Sequence, residues 1–492
     1  NPQLFEMANI RNHCSWVHAG DWEGATRKAQ TLVRMAVARA AALEPLPAAS
    51  VPVRRSALII GGGAAGLNAA LALAGQGFPV QLIERDSQLG GNLRRLHDLG
   101  PGALNPQAYL AGLLERVAQQ PLISVHLQTE LVETSGFKGN FTSTLRRAGE
   151  TFSVQHGVTI VATGGAEYAG PEYGYGQDPR LMTQLEFEAL LHTPAPRRAL
   201  PDSVVMIQCV GPAERYCSRL CCATALKNAL KLKELNPPAE VVILYRDWRT
   251  YGFRERLYTQ ARRQGVRFIR FDLERKPVVE IPPPEPEGRA AQAPLCVRVW
   301  EPVLGRAIEL RPDRLVLSMP VVPAAGAREL ATRLKTALDM DGFYLEAHPK
   351  LRPVDGTSDG LFLAGVAHYP KFLDESIAQA QAAAARAALI LAQDSLLAEA
   401  RIAVVDPARC VGCLTCVRAC PYGVPRVAAS LTGVGGIAGA AVIEPAMCHG
   451  CGVCAAECPA QAIQLKHYRD AEIMPAIDAL FGVQRPVIRQ EC

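Results

Sequence analysis

Of the 492 residues, the fifteen cysteines are the ones best suited to chemistry, and most of them are clustered. Cys410, Cys413, Cys416 and Cys420, followed by Pro421, fit C-x2-C-x2-C-x3-C-P. Cys448, Cys451, Cys454 and Cys458, followed by Pro459, repeat the pattern. Two-residue gaps let three thiolates converge on one cube, while the fourth cysteine of each run ligates the other cluster. The spacing assigns Cys410, Cys413, Cys416 and Cys458 to one [4Fe–4S] cluster, and Cys448, Cys451, Cys454 and Cys420 to another. Structural zinc is the rival, but zinc needs neither the third cysteine two residues on nor the trailing proline. A third constellation, Cys209, Cys217, Cys221 and Cys222 in QCVGPAERYCSRLCC, leaves two readings open: a third cluster, or a redox disulfide such as Cys217–Cys221. The number of thiols and the poor disulfide geometry of a vicinal pair favour the cluster. Cys14, Cys296 and Cys492 are read as free thiols. Only Cys14 is considered as a stand-in ligand for the third cluster.

Gly61-x-Gly63-x-x-Gly66 ends a strand and opens a helix, and Glu84 ends the next strand. Glycines let backbone approach a pyrophosphate at a helix N-terminus, and a carboxylate in that position binds ribose hydroxyls. Gly90-Gly91, the strand ending Ala162-Thr163-Gly164-Gly165, and LFLAG at 361–365 resemble the two-dinucleotide-binding flavoproteins, which favours FAD over NAD. Expected FAD contacts are Gly61, Gly63, Ala65, Gly66, Glu84, Arg85, Gly91, Asn92, Ala162, Thr163, Gly164, Gly365, Lys371 and Ser376. Cys209 stands where an NAD(P)H domain would place its first glycine, and CVGPAERYCS offers one glycine, not three.

The elements that must position these residues are legible as pattern. ALII (57–60), an alanine-rich helix and VQLIE (80–84) make one β-α-β unit, and GVTIVATGG (157–165) is another buried strand. VVMIQCVG, a helix over about 220–235 and EVVILYRD form a second unit. A proline-rich loop (281–288) follows, with strands at 315–318 and 361–365 and a long alanine-rich helix over about 374–400. From Leu4 to about Pro47 the pattern is also helical. The expected fold is α/β: a two-dinucleotide-binding core with a C-terminal 2[4Fe–4S] ferredoxin (α+β) domain and an N-terminal helical segment. The expected divisions are 1–52, that helical segment; 53–200, the first part of the FAD domain; and 201–307, a degenerate nicotinamide-type domain carrying a cluster. They continue with 308–400, the second part of the FAD domain; 401–467, the ferredoxin domain; and 468–492, a helix and tail. Apolar residues make up 49% of the chain, which excludes a disordered or fibrous protein. A net charge of +5 is too small to point to nucleic acid. No apolar run reaches the ~18–20 residues of a membrane span. No signal peptide is visible, and Asn1 in place of Met predicts a native chain that begins further upstream. The ten histidines form no H-E-x-x-H pattern and no GxSxG elbow is present, so hydrolytic chemistry has no support.

With these residues in place, the chain resembles the A-type component of heterodisulfide reductase (HdrA), an FAD and iron–sulfur protein with relatives in quinone-interacting oxidoreductase and benzoyl-CoA reductase complexes. The likeness rests on FEMANIRNHCSWVH (5–18), GGGAAGLNAALALA, QCVG…YCSRLCC, LRPVDG…GLFLAGVAHYPKFLDESIAQAQAAAARAA (351–388) and the tandem cysteine runs. It implies a thioredoxin-reductase-like core whose nicotinamide domain carries a cluster instead of a nucleotide. It also implies a cytoplasmic complex of cluster-carrying C- and B-type subunits and an electron-input subunit linked to hydrogenase, formate or NADH. Ferredoxin is a further candidate partner, and a homodimer is expected within the complex. Two departures stand out. The methanogen type inserts a two-cluster ferredoxin after the segment matching GNFT (139–142), and none is here, which leaves the exit for low-potential electrons open. The family also begins upstream of NPQLFEMANIR, so part of its N-terminal domain is expected to be absent.

One FAD and three [4Fe–4S] clusters can split an electron pair or merge single electrons. The expected function is thus a bifurcating or confurcating electron-transfer subunit, with Lys371 of YPKF as the cation close to the flavin. Glu375 and Ser376 are expected to cap the following helix and to line the flavin, with capping alone as the plainer reading. Two alternatives stand beside this: an NAD(P)H-dependent flavoenzyme resembling the glutamate synthase small subunit, and a non-bifurcating wiring subunit. No CCG-type repeat is present, because Ala223 follows Cys221-Cys222, so any heterodisulfide cleavage falls to a partner.

Overall fold

The structure, a computed structural model, describes residues 3–100, 102–194, 200–282 and 293–482. Most of the proline-rich loop, the tail beyond 482 and Cys492 lie outside the described residues. Two units emerge: Val53–Asp394, and Asn1–Pro52 together with Ser395–Cys492.

In the larger unit the first sheet has seven strands, in the order Glu346–His348, Arg352–Gly356, Leu361–Leu363, Val158–Val161, Ala57–Ile60, Val80–Ile83 and Ile123–His126. The last five run parallel. Ala57–Ile60 and Val158–Val161 are buried at every position, as strands covered on both faces must be. One face packs on the alanine-rich helices Ala64–Ala74 and Leu373–Leu391, whose small side chains allow close approach. The other packs on Leu131 and Leu145 of an antiparallel sheet, Thr129–Phe137, Asn140–Arg147 and Glu150–His156.

The second sheet is all parallel: Leu181–Thr183, Arg314–Leu317, Ser203–Ile207, Glu240–Tyr245 and Arg267–Arg270. Helices Gln184–His192 and Cys221–Leu235 cover one face. The antiparallel strands Val278–Glu280, Cys296–Glu301 and Arg306–Leu310 cover the other. The chain crosses between the two sheets through Gly165–Glu167, paired antiparallel with Val321–Pro323. A buried ion pair, Lys227 to Glu188, fastens the second sheet's helices to the first domain. Lys227 also donates to the Asp98 carbonyl, and Glu188 accepts from the backbone N–H groups of His97 and Asp98.

In the smaller unit, short ladders join Ala403–Val405 to Ile463–Leu465 and Arg426–Thr432 to Ala438–Val442. Helices Thr415–Ala419 and Val453–Ala456 each begin one residue before the third cysteine of their run. The helix Trp22–Ala42 packs on Asp470–Phe481 of the same unit. Around it, Arg39 binds Glu6 and the His467 carbonyl, and Arg469 binds Glu44. The helical reading of 4–47 contracts to Trp22–Ala42 and a short turn, Arg11–Ser15. The helix expected over 374–400 ends at Leu391, because Ser395–Leu397 is drawn into an antiparallel pair with Ser50–Pro52.

Candidate functional site

A cavity of about 950 Å³ opens at the carboxyl ends of the first sheet's parallel strands. The strand Ala57–Ile60 feeds its floor through Gly61, whose φ of +111° and close approach to the Ala162 carbonyl admit no side chain. A Cβ on Gly66 would stand 1.8 Å from the Gly61 carbonyl oxygen, so this glycine serves packing between turn and helix. A Cβ on Gly63 would meet nothing within 4 Å; its space is open to the cavity. Of the residues expected to hold FAD, all line this cavity except Gly66, which lies beneath it. Glu84 is buried, and its carboxylate accepts from the N–H of Gly62 at 2.6 Å and of Asp86 at 3.0 Å. That fixes its oxygens at the turn with lone pairs to spare. Asn92 donates to the Gly165 carbonyl at 2.7 Å. The Thr163 hydroxyl is buried without a partner among the described residues, an acceptor and donor waiting for a ligand.

Lys371 comes from the segment before the helix Leu373–Leu391. It is 4% exposed, donates to the Gly365 carbonyl at 2.6 Å and lies 3.9 Å from the Tyr369 ring centroid. Burial pushes its ammonium down to about 7, against the opposing pull of Glu346 and Glu375. Glu167 was not singled out by sequence, yet it lines the same cavity, and burial pushes its carboxyl up to about 7.

Cys221 and Leu220 also line the cavity, bringing the third cysteine group to its wall. Cys209, two residues past the strand Ser203–Ile207, has φ +59°, a left-handed turn that an ordinary side chain adopts at a cost. Burial pushes the Cys221 thiol well above its ordinary value, and Cys222, Cys209 and Cys217 add to the rise by proximity. Burial likewise takes Cys222 to about 12. Burial also raises the Cys209 thiol, with Cys217 adding to the rise. Gln208, next to Cys209, is buried with both amide atoms unpartnered among the described residues. All fourteen described cysteines are free, Cys217 and Cys221 among them. Cys14 belongs to the smaller unit and the 209–222 group to the larger.

In the smaller unit, Cys410, Cys413, Cys416 and Cys458 line one small cavity together. Cys454 is pushed up to about 11 by burial, with further rises from Cys448, Cys420 and Cys451. Backbone N–H groups of Ala441, Ala462 and Ala403 point at the sulfurs of Cys410, Cys458 and Cys448. Among the described residues no three His, Cys, Asp or Glu side chains gather tightly enough for a single metal ion.

The two relevant family matches are a 4Fe-4S dicluster domain over residues 409–462 and an NAD(P)-binding Rossmann-like domain over 59–119. An A-type iron–sulfur component of the CoB–CoM heterodisulfide reductase of Methanopyrus kandleri is 34% identical over 583 residues, covering 98% of this chain and 85% of that one. The A-type component of the H(2):CoB-CoM heterodisulfide,ferredoxin reductase of Methanothermobacter marburgensis is 33% identical, covering 86% of this chain and 77% of that one. The chain belongs to the HdrA family of heterodisulfide reductase components. It is an oxidoreductase subunit of the flavoprotein and iron–sulfur class. Among solved structures, Lactococcus lactis thioredoxin reductase aligns with a TM-score of 0.48 at 17% identity, over 68% of this chain and 99% of that one. No helix among the described residues is long and apolar enough to cross a membrane.

Sequence reasoning missed Gln208, Glu167 and the pairing of Arg219 with Glu375 at 2.7 Å. Arg219 stood in view inside YCSRLCC, but its partner lies 156 residues away. Glu375 does cap its helix, accepting from the Phe372 N–H and carrying that ion pair on its other oxygen, but it is not among the residues that line the cavity; Ser376 lines it and does not cap, being already one turn inside the helix with its N–H on the Phe372 carbonyl.

Proposed function

We propose that this chain is the FAD and three-cluster subunit of a heterodisulfide-reductase-type complex, dividing or merging electron pairs between partner subunits. One observation carries the reading: Cys221 and Lys371 line the cavity built by the Gly61–Gly66 turn. A flavin there would convert between two-electron and one-electron transfer, and each cluster would pass single electrons.

The chain's own residues prepare these places. The Gly61–Gly63 turn offers backbone to a pyrophosphate at the N-terminus of the helix Ala64–Ala74. Glu84 accepts a ribose hydroxyl on its remaining lone pairs, and Thr163 bonds the ligand with its otherwise unpartnered hydroxyl. Asn92 orients the Gly165 strand beside the ligand, and Lys371 brings a cation that is easily neutralised. Cys209, Cys217, Cys221 and Cys222 ligate the cluster nearest this cavity. Cys410, Cys413, Cys416 and Cys458 take a second cluster, which the cavity lined by all four supports. Cys448, Cys451, Cys454 and Cys420 take the third, in keeping with the mutual influence seen at Cys454.

The Methanothermobacter marburgensis relative's name couples hydrogen with two acceptors, a heterodisulfide and ferredoxin, which supports electron division here. Partner subunits then supply electrons and cleave the disulfide, and the free cysteines suit a reducing cytoplasm. The test is a redox titration, by electron paramagnetic resonance and visible absorbance, of the anaerobically purified chain. About twelve irons and one FAD per chain are expected. Bleaching of the flavin by NADH alone would overturn the reading in favour of an NAD(P)H-dependent flavoenzyme.

A further inference from the structure

Two segments far apart in sequence, the cysteine loop 209–222 and the segment 369–375, are held together by arginines. Arg219 sits between Cys217 and Cys221 with φ +64°, and its backbone N–H points at the Cys217 sulfur at 3.3 Å. Its guanidinium donates to the Tyr251 hydroxyl and, at 2.7 Å, to Glu375. The other oxygen of Glu375 accepts from the Phe372 N–H at 2.9 Å, so one carboxylate holds both the helix start and the cysteine loop. Leu373 and Ser376 of that helix line the cavity. The Tyr369 ring stands 5.7 Å from the Arg219 guanidinium carbon and 3.9 Å from the Lys371 nitrogen, so two cationic side chains share one aromatic ring. Arg254 repeats the pattern beside it, 3.4 Å above the Phe372 ring and 3.4 Å from Asp374.

We propose that Arg219 is a positioning residue that, through Glu375, locks the cysteine loop to the flavin-side segment and sets the reduction potentials on both sides of the joint. The proposal deepens the three-cluster reading and rests on it. A guanidinium keeps its charge at any working pH, and a fixed cation favours whichever neighbour gains an electron. The Arg219 guanidinium carbon lies 5.7 Å from the same Tyr369 ring that Lys371 approaches, so its charge reaches the flavin-side segment. Because Arg219 is bound to Glu375, neither the ligand loop nor the helix start can shift without the other.

The experiment uses the whole chain, purified anaerobically, with iron and flavin contents and separate midpoint potentials for the 209–222 cluster and the flavin. In Arg219→Gln both midpoints should fall, and Arg219→Lys should restore them at least in part. In Glu375→Gln, which keeps a cap acceptor and frees the cation, both midpoints should rise, although the substitution lies outside the cysteine loop. Unchanged midpoints in Arg219→Gln and Glu375→Gln at full cofactor content would overturn the proposal, as would a loss of thermal stability alone. If Arg219→Gln fails to fold or loses its cluster, Glu375→Gln decides by itself, and an unmoved cluster midpoint there overturns the proposal. A wild-type chain with about eight irons would instead overturn the three-cluster reading and this proposal with it.

Discussion

Gly63 and Gly66 serve the dinucleotide turn in opposite ways, and substitution separates them. Gly66→Ala places a methyl on the Gly61 carbonyl and should cost about 1–3 kcal/mol of stability as well as flavin. Gly63→Ala meets open space, so the flavin-free chain should keep its melting temperature while its flavin affinity falls. Calorimetry and flavin titration on both variants check this. Lys371 makes a second prediction. Below pH of about 7 its ammonium is charged and raises the midpoint of a group gaining electrons beside it; above, it is neutral and the effect fades. Lys371→Met should therefore lower the flavin midpoint on the acid side and converge with wild type on the alkaline side. The bound flavin's own negative charge should move that crossover upward. Potentiometric titration between about pH 6 and 9 reads it, and coincident curves would remove Lys371 from the mechanism. At this scale the sequence was informative wherever a demand is local: glycine sterics and cysteine spacing act over a few residues. Arg219–Glu375, Glu167 and Gln208 owe their character to burial and to partners that only folding supplies.

The elements carry a different stress. Lys227 on Cys221–Leu235 and Glu188 on Gln184–His192 are both nearly inaccessible, and Glu188 also holds two backbone N–H groups of the loop at 97–98. Removing one partner of such a pair leaves a buried charge without a counter-ion. Lys227→Met or Glu188→Gln should each lower stability by about 3–5 kcal/mol, measured from denaturant midpoints. The double replacement should recover part of that loss. The central parallel strands and the helix at 221–235 were legible because fully apolar runs and short β-α-β spacing leave few alternatives, whereas the parallel strands Ile123–His126, Leu181–Thr183 and Arg267–Arg270, short or mixed with polar residues, were not. The end of the helix Leu373–Leu391 was not, since Ala392 and the residues after it carry no breaker. A partner strand from Ser50–Pro52 decides it instead.

For the molecule as a whole, the formal charge of +5 acquires a meaning. On the proposed load, three clusters with four thiolates each would contribute about −6 and an FAD pyrophosphate about −2, which would leave roughly −3. The loaded chain should therefore migrate as an anion at neutral pH, and the stripped chain as a cation. Native electrophoresis before and after cofactor removal distinguishes them, and an unchanged direction would contradict the cofactor count. The pairing of the helix Trp22–Ala42 with Asp470–Phe481 has a consequence of another kind, in time. Synthesis places roughly 430 residues between these helices, about 20–90 s at 5–20 residues per second. The first helix leaves the ribosome long before its partner exists, whereas Val53–Asp394 is complete well before the end. The unit Val53–Asp394 can thus mature first, and the helices Trp22–Ala42 and Asp470–Phe481 pair last. Iron delivery to the dicluster domain at 409–462 would then be a finishing step of biogenesis, and the first to suffer when translation stops early.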